Sequence, residues 1–290
     1  MLRRFALLFV LAFTLATGAV CARRLYATPL ETIEGLALGD QAVVPIIMYH
    51  ALEAAPSNKW EITIAEFESD LQYLAEHGYT AVVMQDLIDF VHNGRPLPDK
   101  PIVLSFDDGR SPTISIITEL LTKYNAKATM AIIGAETDKY THISKTKKIK
   151  KNPHMTWEEV QTAAQSGVIE ISCHTYDLHG RTGAKKRRGE SEEAYRTRFL
   201  ADLQKFANVL HENADLKANT LVYPLGAISP MSDDIIKEAG YLASLSCNEQ
   251  SNMLVVGDYD CLYSLNRFLR PPHRNSADFF GRILSILSND

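Results

Sequence analysis

Runs of apolar residues alternate with amphipathic stretches along most of the chain. The apolar runs predict strands and lie at residues 43–50, 79–83, 101–106, 126–133, 168–173, 218–224 and 241–247. The amphipathic stretches predict helices and lie at residues 63–78, 84–94, 111–125, 156–167, 192–213, 229–240 and 275–287. Within the first of them, Phe67, Leu71 and Leu74 share one helix face, and Thr63 with Glu66 forms a capping box at its start.

This alternation predicts the fold class. A strand followed by a helix, repeated along the chain, gives a parallel sheet with right-handed crossovers. About seven such units predict an α/β protein built as a distorted (β/α) barrel, closed or nearly closed. Because the chemistry of such barrels lies at the carboxyl ends of the strands, polar residues that directly follow a strand are the candidates for a site.

The first residues follow a different pattern. A basic start, MLRR, precedes an apolar run from Phe5 to Val20 that contains no charged residue. A secretory signal has this pattern, and a slightly extended helix of the same sequence would remain as a membrane anchor. We therefore expect residues 1–24 to be a signal peptide or an N-terminal membrane anchor, 25–40 a stalk, and 41–290 one folded domain. The protein would then be exported to the cell surface or the extracellular space.

Composition and cysteine usage narrow the class further. Hydrophobic residues make up 46% and charged residues 22% of the 290 residues, which is ordinary for a globular protein. The net charge of −5 provides no basic field, so we expect no nucleic-acid partner. Outside the apolar N-terminal run the chain has Cys173, Cys247 and Cys261. Either Cys247 pairs with Cys261 across a polar loop, or all three are buried thiols.

Two adjacent acids end one of the predicted strands. The sequence PIVLSFDDG places Asp107 and Asp108 after an apolar run and before Gly109. A glycine at this point lets the backbone turn, so both carboxylates can face one site. Two like charges held close together in a low dielectric repel each other, and a bound cation would relieve that repulsion.

A second strand runs into a pair of histidines. In EISCHTYDLHG, His174 and His179 lie five residues apart in a polar loop. Two histidines and one carboxylate form a zinc site that keeps a fourth position open, which is the arrangement of a catalytic site. The simpler alternative is a capping carboxylate with two solvated loop histidines.

These motifs resemble those of the polysaccharide deacetylases, the NodB-homology carbohydrate esterases. SFDDG resembles their first motif, and HTYDLH resembles their metal-binding histidine motif. The five-residue histidine spacing resembles the branch that deacetylates poly-N-acetylglucosamine of biofilm matrix. VYPLGAIS, residues 222–229, resembles the third motif more loosely. The resemblance implies a NodB-type barrel, with the catalytic domain at residues 41–290.

The resemblance also implies roles for the residues of the first two motifs. Asp107 would be the catalytic base. Asp108, His174 and His179 would hold one divalent metal ion, zinc before other ions.

Two departures from the family pattern matter: the third motif lacks its arginine and its aromatic residue, and there is no clear late Leu-x-His motif to carry the acid. Val222 stands where the third motif has the arginine that orients the base, and we expect Arg267 to replace that arginine. Leu225 stands at the aromatic position, where its backbone N–H would still stabilise the oxyanion. In the poly-N-acetylglucosamine branch the acid comes from an early Tyr-His pair, so the resemblance assigns that role to His50. The alternative acid is His273, near the C-terminus.

The expected function is removal of N-acetyl groups from a polymer that contains N-acetylglucosamine. Poly-N-acetylglucosamine, peptidoglycan and chitooligosaccharides are the candidate substrates. The alternatives are an O-acetyl xylan esterase and a wall- or matrix-binding protein with a decayed site. A haloacid-dehalogenase type of phosphotransferase is disfavoured, because it needs an acid where Gly109 stands.

Other features leave two interpretations open. The lysines of residues 139–154 and the KKRR run at 185–188 either attract an anionic polymer or form a solvated rim. Trp60 and Trp157 either stack on sugars or pack at the core and at a helix start.

Overall fold

The computed structural model describes residues 40–144 and 153–287. The expected signal or anchor, most of the stalk and the lysine-rich part of 139–154 lie outside these ranges. Among the described helices, none combines the length and apolarity that a membrane crossing requires.

The described residues contain twelve strands, most of them short, in three sheets. In chain order they are β1 (Gln41–Val43), β2 (Ile46–Tyr49), β3 (Ala51–Leu52), β4 (Glu61–Ile62), β5 (Thr80–Val82), β6 (Pro101–Phe106), β7 (Ala128–Ile132), β8 (Ile169–Cys173), β9 (Thr220–Val222), β10 (Ala243–Leu245), β11 (Met253–Val255) and β12 (Phe268–Leu269).

The main sheet is parallel and carries the site. Its strand order is β10-β9-β8-β7-β6-β2-β12, and β5 pairs with the first residues of β6. An isolated parallel bridge joins Leu245, at one end of this order, to Leu265, shortly before β12 at the other end. The seven strands thus form a half-barrel, which confirms the expected distorted (β/α) barrel.

Eight helices of the described chain surround this sheet. They are α1 (Ile64–Glu76), α2 (Met84–Asn93), α3 (Ile114–Lys123), α4 (Gly134–Ser144), α5 (Trp157–Gln165), α6 (Glu192–Ala214), α7 (Ser232–Glu238) and α8 (Ser276–Leu287). Seven of them match predicted helices to within a few residues. The pattern missed α4, because its residues GAETDKYTHIS show almost no separation of apolar and polar faces.

The two faces of the sheet pack into different cores. Ile102, Leu104 and Phe106 of β6 belong to a large cluster with the outer helices. Val103, between them, belongs to a smaller cluster with α2. This alternation follows from the period of two along a strand. It places position 105, and Asp107 beyond the strand end, on the face of Val103.

Strand register brings the motifs together. Tyr49 pairs with Phe106, so the residues that follow them, His50 and Asp107, emerge side by side. In the same way β8 pairs with β9 through Cys173 and Leu221, so His174 emerges beside Val222. The candidate residues of four separate sequence segments therefore meet at the carboxyl edge of one sheet.

Candidate active site

The two acids after β6 point into the site from different backbone conformations. Asp107 continues the strand and donates its N–H to the Tyr49 carbonyl at 2.9 Å. Asp108 has a φ of 71° and Gly109 a φ of 62°, so the chain turns sharply here. A Cβ on residue 109 would lie 2.8 Å from Ile132 Cγ2, so glycine is required by space as well as by conformation. The turn separates the carboxylates into two neighbouring positions.

Asp108 lies with both histidines in one cluster. Its Oδ1 is 3.1 Å from His179 Nε2 and 3.8 Å from His174 Nε2. One ligand atom from each residue lies within 4.8 Å of the other two. Asp108 Oδ1 is buried and has no well-formed hydrogen bond within the described residues. The expected metal-ligand set is therefore brought together, and an orphaned carboxylate oxygen faces its centre.

The orientation of His174 also suits a metal ligand. His174 Nδ1 lies 2.8 Å from the Val222 carbonyl. Because a carbonyl only accepts, Nδ1 carries the proton, and the lone pair of Nε2 is free to bind a metal ion beside Asp108. Burial lowers the pKa of His174 to about 4, against the attraction of Asp107 and Asp108. The ring is therefore neutral at physiological pH, as a ligand must be.

A buried arginine holds the other acid. Arg267 directly precedes β12 and donates from Nη1 and Nη2 to the two oxygens of Asp107, at 2.7 and 3.0 Å. Its Nε donates to the Ser246 carbonyl at 2.7 Å, and Nη1 also reaches Ser105 Oγ at 3.0 Å. Burial alone would raise the pKa of Asp107, but the guanidinium outweighs it and holds that pKa below its usual range. Arg267 thus lies where we expected the residue that orients the base.

His50 lies beside Asp107, near the carboxylate oxygen that also accepts from Arg267 Nη2. Its Nε2 is 3.9 Å from Asp107 Oδ2, and its ring lies 4.7 Å from that of Trp60. Its buried Nδ1 has no hydrogen-bond partner in the described chain. Burial lowers the pKa of His50 despite the nearby carboxylates. The alternative acid, His273, is exposed and donates its backbone N–H to Glu66 Oε1; it does not line the cavity.

Asp107, Asp108 and the three histidines at positions 50, 174 and 179 line one cavity of about 340 Å³. Its wall includes the candidate acid, base and metal ligands, together with Met48, Ala51, Asn58, Trp60, Glu61, Arg110, Leu225 and Cys247. Leu225 is 59% exposed and has a φ of 60°, in the short 3₁₀ turn Pro224–Gly226. Trp60 is 40% exposed at the rim, whereas Trp157 is buried at the start of α5 and donates to Asp138. Of the two tryptophans, Trp60 therefore has the position for sugar stacking.

Two supporting residues were not found from the sequence. Asp202 of α6 accepts the backbone N–H groups of Tyr176 and Asp177, both at 2.8 Å, in the middle of the loop between His174 and His179. The ring of His154 donates from Nδ1 to the Asp108 carbonyl at 2.7 Å. The role of Asp202 left no sequence signal, because an isolated acid on a long helix has the pattern of a solvated residue.

The described cysteines are free thiols, so the suggested pairing of Cys247 with Cys261 is wrong. Cys247 instead lines the cavity, with its sulfur 3.5 Å from Arg267 Nη2. Cys173 is fully buried, and burial raises the pKa of its thiol.

A family model for polysaccharide deacetylases matches residues 94–244. The chain belongs to this family. The matched range contains Asp107, Asp108, His174 and His179, and it confirms the resemblance seen in their motifs. His50 and Arg267 lie outside it, so their assignment depends on geometry.

Curated relatives carry a more specific name. The poly-β-1,6-N-acetyl-D-glucosamine N-deacetylase of Escherichia coli strain K12 is 25% identical over 211 residues, which cover 65% of this chain and 31% of that protein. The protein of the same name from Staphylococcus epidermidis is 25% identical over 179 residues, which cover 61% and 57%. The present chain thus spans about a third of the length of the Escherichia coli relative.

Solved structures have the same architecture. The de-N-acetylase from Aggregatibacter actinomycetemcomitans superposes with a TM-score of 0.69 at 25% identity, over 84% of this chain and all of that one. A Streptococcus pyogenes deacetylase in complex with acetate gives a TM-score of 0.68 at 18% identity, over 83% and 98%. At that identity the second match shows the fold alone.

Proposed function

We propose that this domain is a metal-dependent N-deacetylase of polysaccharides that contain N-acetylglucosamine, with poly-β-1,6-N-acetylglucosamine as the leading substrate. The observation that carries the proposal is the division of labour between two adjacent acids. Asp107 is paired with a buried arginine, and Asp108 is grouped with two histidines in the same cavity. The names of the curated relatives support the choice of polymer.

Asp108, His174 and His179 would hold the metal ion, which we propose to be zinc. Two imidazoles and a carboxylate are a donor set of catalytic zinc sites, and the orphaned Asp108 oxygen fits that role. When bound, such an ion polarises the acetyl carbonyl and lowers the pKa of a water molecule from 15.7 toward roughly 7.

The neighbouring side chains move the protons. Asp107 accepts the proton of the attacking water, and Arg267 keeps that carboxylate ionised and fixes its direction. The backbone N–H of Leu225 donates to the oxygen that becomes negative as the acetyl carbonyl is attacked. His50 protonates the amine as it leaves. An unprotonated amine is a poor leaving group, so this step matters most for an amide substrate.

The proposal extends to location and partner. The apolar run from Phe5 to Val20 supports export, with the domain at the cell surface or outside the cell. An acetylated amino-sugar polymer in the matrix or wall would then be the partner. The intact pairing of Asp107 with Arg267 speaks against the alternative of a decayed binding protein.

The test is acetate release by the purified protein from four substrates, with its metal content measured in parallel. The substrates are oligomers of β-1,6-linked N-acetylglucosamine, chitooligosaccharides, peptidoglycan and O-acetylated xylan. We expect acetate from at least one N-acetylated polymer and about one metal ion per chain. Release from acetylated xylan alone would replace the proposal with an esterase.

A further inference from the structure

A basic segment, residues 181–188, begins two residues after His179. It contains Arg181, Lys185, Lys186, Arg187 and Arg188 and no acidic residue. The whole chain carries a net charge of −5, so this segment runs against the overall balance.

The basic segment is attached to both sides of the candidate site. Gly183 donates its N–H to the Gly180 carbonyl at 2.8 Å, which joins it to the loop of His179. A Cβ on Gly183 would lie 2.7 Å from the Pro224 carbonyl oxygen and from Ala227 Cβ, so the segment packs directly against the turn of Leu225. Lys186 donates its backbone N–H to Ser229 Oγ at 3.0 Å. The segment therefore packs against the two loops that carry His179 and Leu225 to the cavity wall, directly behind the proposed oxyanion group.

The backbone of the basic segment is held by Glu190 and by Arg198 of α6, whereas its cationic side chains form no close ion pair within the described residues. Arg198 donates to the Lys185 carbonyl at 3.1 Å, and Glu190 accepts the Arg187 N–H at 2.8 Å. Glu190 is itself paired with Arg198 at 2.7 and 2.9 Å, and this hydrogen bonding lowers its pKa to about 2. Within the described ranges, no carboxylate lies within ion-pair distance of the five cationic side chains of the segment, although the charge of Arg187 adds to the lowering of the Glu190 pKa. The fold thus orders the backbone of this segment and leaves its charge facing solvent.

We propose that the basic segment selects, by their charge, the stretches of polysaccharide that bind beside the cavity. It favours stretches that carry acidic groups and disfavours stretches that already carry free amines. Charges interact across about 10 Å at 0.1 M salt, so groups on neighbouring sugar units are within range. An intact N-acetylglucosamine unit is neutral, whereas each deacetylated unit is an ammonium ion that the segment repels. The inference rests on the proposed function and adds a limit on how densely one chain is deacetylated.

An acidic polymer is favoured over an anionic membrane surface because the segment is anchored to the two loops that border the cavity. Because the loops of His179 and Leu225 form part of the cavity wall, a sugar chain whose acetylated unit lies in the cavity and that extends over this side passes close to the segment. The membrane interpretation becomes one outcome of the test.

The test uses three hexamers of β-1,6-linked N-acetylglucosamine: unmodified, carrying two carboxymethyl ethers, and carrying two free amines. Binding is measured by calorimetry in the Asp107→Asn background, and the KM for acetate release is measured in the active protein. The variant Lys185→Gln/Arg188→Gln removes two charges from the segment. The matched control, Lys127→Gln/Lys217→Gln, removes two exposed charges next to the opposite, amino-terminal ends of β7 and β9.

We expect the carboxymethyl hexamer to bind roughly three- to tenfold more tightly than the neutral one, and the amine hexamer to bind more weakly by a similar factor, on the scale of exposed ion pairs. These differences in affinity between the three hexamers should disappear at about 0.5 M salt and in Lys185→Gln/Arg188→Gln, but persist in the control. Equal affinities of the three hexamers for protein with the unaltered segment would overturn the inference, even if acetate is released. So would a loss of binding to anionic lipid vesicles in Lys185→Gln/Arg188→Gln without a change in the hexamer ranking. A ranked binding series without acetate release would instead overturn the proposed function, and with it the limit on deacetylation, but not the charge preference of the segment.

Discussion

Two buried arginine–aspartate pairs flank the same short strand, and they differ in what surrounds the carboxylate. Arg267 precedes β12 and pairs with Asp107 at 2.7 and 3.0 Å. Arg270 follows β12 and pairs with Asp70 at 2.8 and 3.0 Å. Both arginines are almost fully buried, and their side chains leave opposite faces of the strand, as a separation of three residues requires.

The carboxylate of the second pair is fully used. Besides Arg270, Asp70 accepts from the Tyr49 hydroxyl at 3.1 Å and from Ser276 Oγ at 2.6 Å. Arg270 also donates to the carbonyls of Pro271 and Arg274. This pair joins α1, β2, β12 and the start of α8, and nothing in it is left to react.

The carboxylate of the first pair keeps unused capacity. Within the described chain Asp107 accepts only the two hydrogen bonds from Arg267, and its open side faces His50 and the cavity. Tyr49 and His50, neighbours in sequence, therefore serve different pairs, one closed and one open. A buried ion pair becomes a candidate for catalysis when its carboxylate has lone pairs to spare.

The two pairs should differ most in the effect of replacing each aspartate by asparagine. Asp107→Asn should lower turnover on an N-acetylglucosamine oligomer by about 10²- to 10⁴-fold while the metal is retained, because it removes the general base. Asp70→Asn should instead lower the free energy of unfolding by about 3–5 kcal/mol, because Arg270 is left buried without its counter-charge.

Kinetics under folded conditions and denaturant unfolding of each variant are the measurements. Full activity in Asp107→Asn would remove it as the base. A collapse of turnover in folded Asp70→Asn would show that the closed pair also serves catalysis.

The role of His50 at the open pair can be tested by the leaving group. His50→Ala should lower amide deacetylation by about 10²-fold and affect 4-nitrophenyl acetate far less, because an activated phenolate leaves without protonation. His273→Ala is the control and should alter neither rate much. Selective loss of amide activity in His273→Ala, with His50→Ala unaffected, would move the acid to the C-terminal loop.

The acidic side of the pH profile of kcat/KM should shift when Arg267 is replaced and stay in place when Arg270 is replaced. Asp107 acts when ionised, and Arg267 holds its pKa below the usual range against the effect of burial. Arg267→Gln removes the largest influence that opposes burial, so the pKa of Asp107 rises and kcat/KM should begin to fall at a higher pH as the solution is acidified. Arg267→Lys should restore part of the shift, and Arg270→Gln should leave the acidic side of the profile in place. An unmoved acidic side in Arg267→Gln would contradict the pairing as the cause of the lowered pKa.

The smallest expected effect is at the closed pair. Tyr49→Phe removes one of four hydrogen bonds to Asp70 and should cost about 1 kcal/mol of unfolding free energy. Turnover should stay within a factor of two, on the scale of about 0.4 kcal/mol. If the loss of turnover, expressed as a free energy, exceeds the loss of unfolding free energy, Tyr49 would be indicated to position His50 for catalysis.

Sequence reasoning found the open pair and missed the closed one for a physical reason. Asp107 follows a buried strand with a second acid and a glycine, which is a local pattern that a single segment displays. Asp70 lies on the amphipathic helix α1, and its partners lie in β2 and two hundred residues away, so nothing local distinguishes it from a solvated acid. Arg267 was expected only because a motif position lacked its arginine.

The supports of the candidate metal site were hidden in the same way. His174 and His179 are visible as a spaced pair, but the hydrogen bonds that Asp202 accepts and that His154 donates depend on the packing of α6 and of the segment before α5. Helix α4 was missed because its sequence lacks an apolar stripe. Local sequence patterns therefore predicted the groups proposed to react, whereas the groups that hold them in place are visible only in the tertiary packing.

The central claim is that the open acid works beside a metal held by Asp108, His174 and His179. Acetate release from β-1,6-linked N-acetylglucosamine oligomers by chelator-stripped protein, titrated with zinc, tests it most directly. The account predicts negligible activity after stripping, full recovery near one zinc per chain, and neither binding nor recovery in His174→Ala. Full activity in the stripped protein, or stoichiometric zinc in a variant that lacks both His174 and His179, would contradict it.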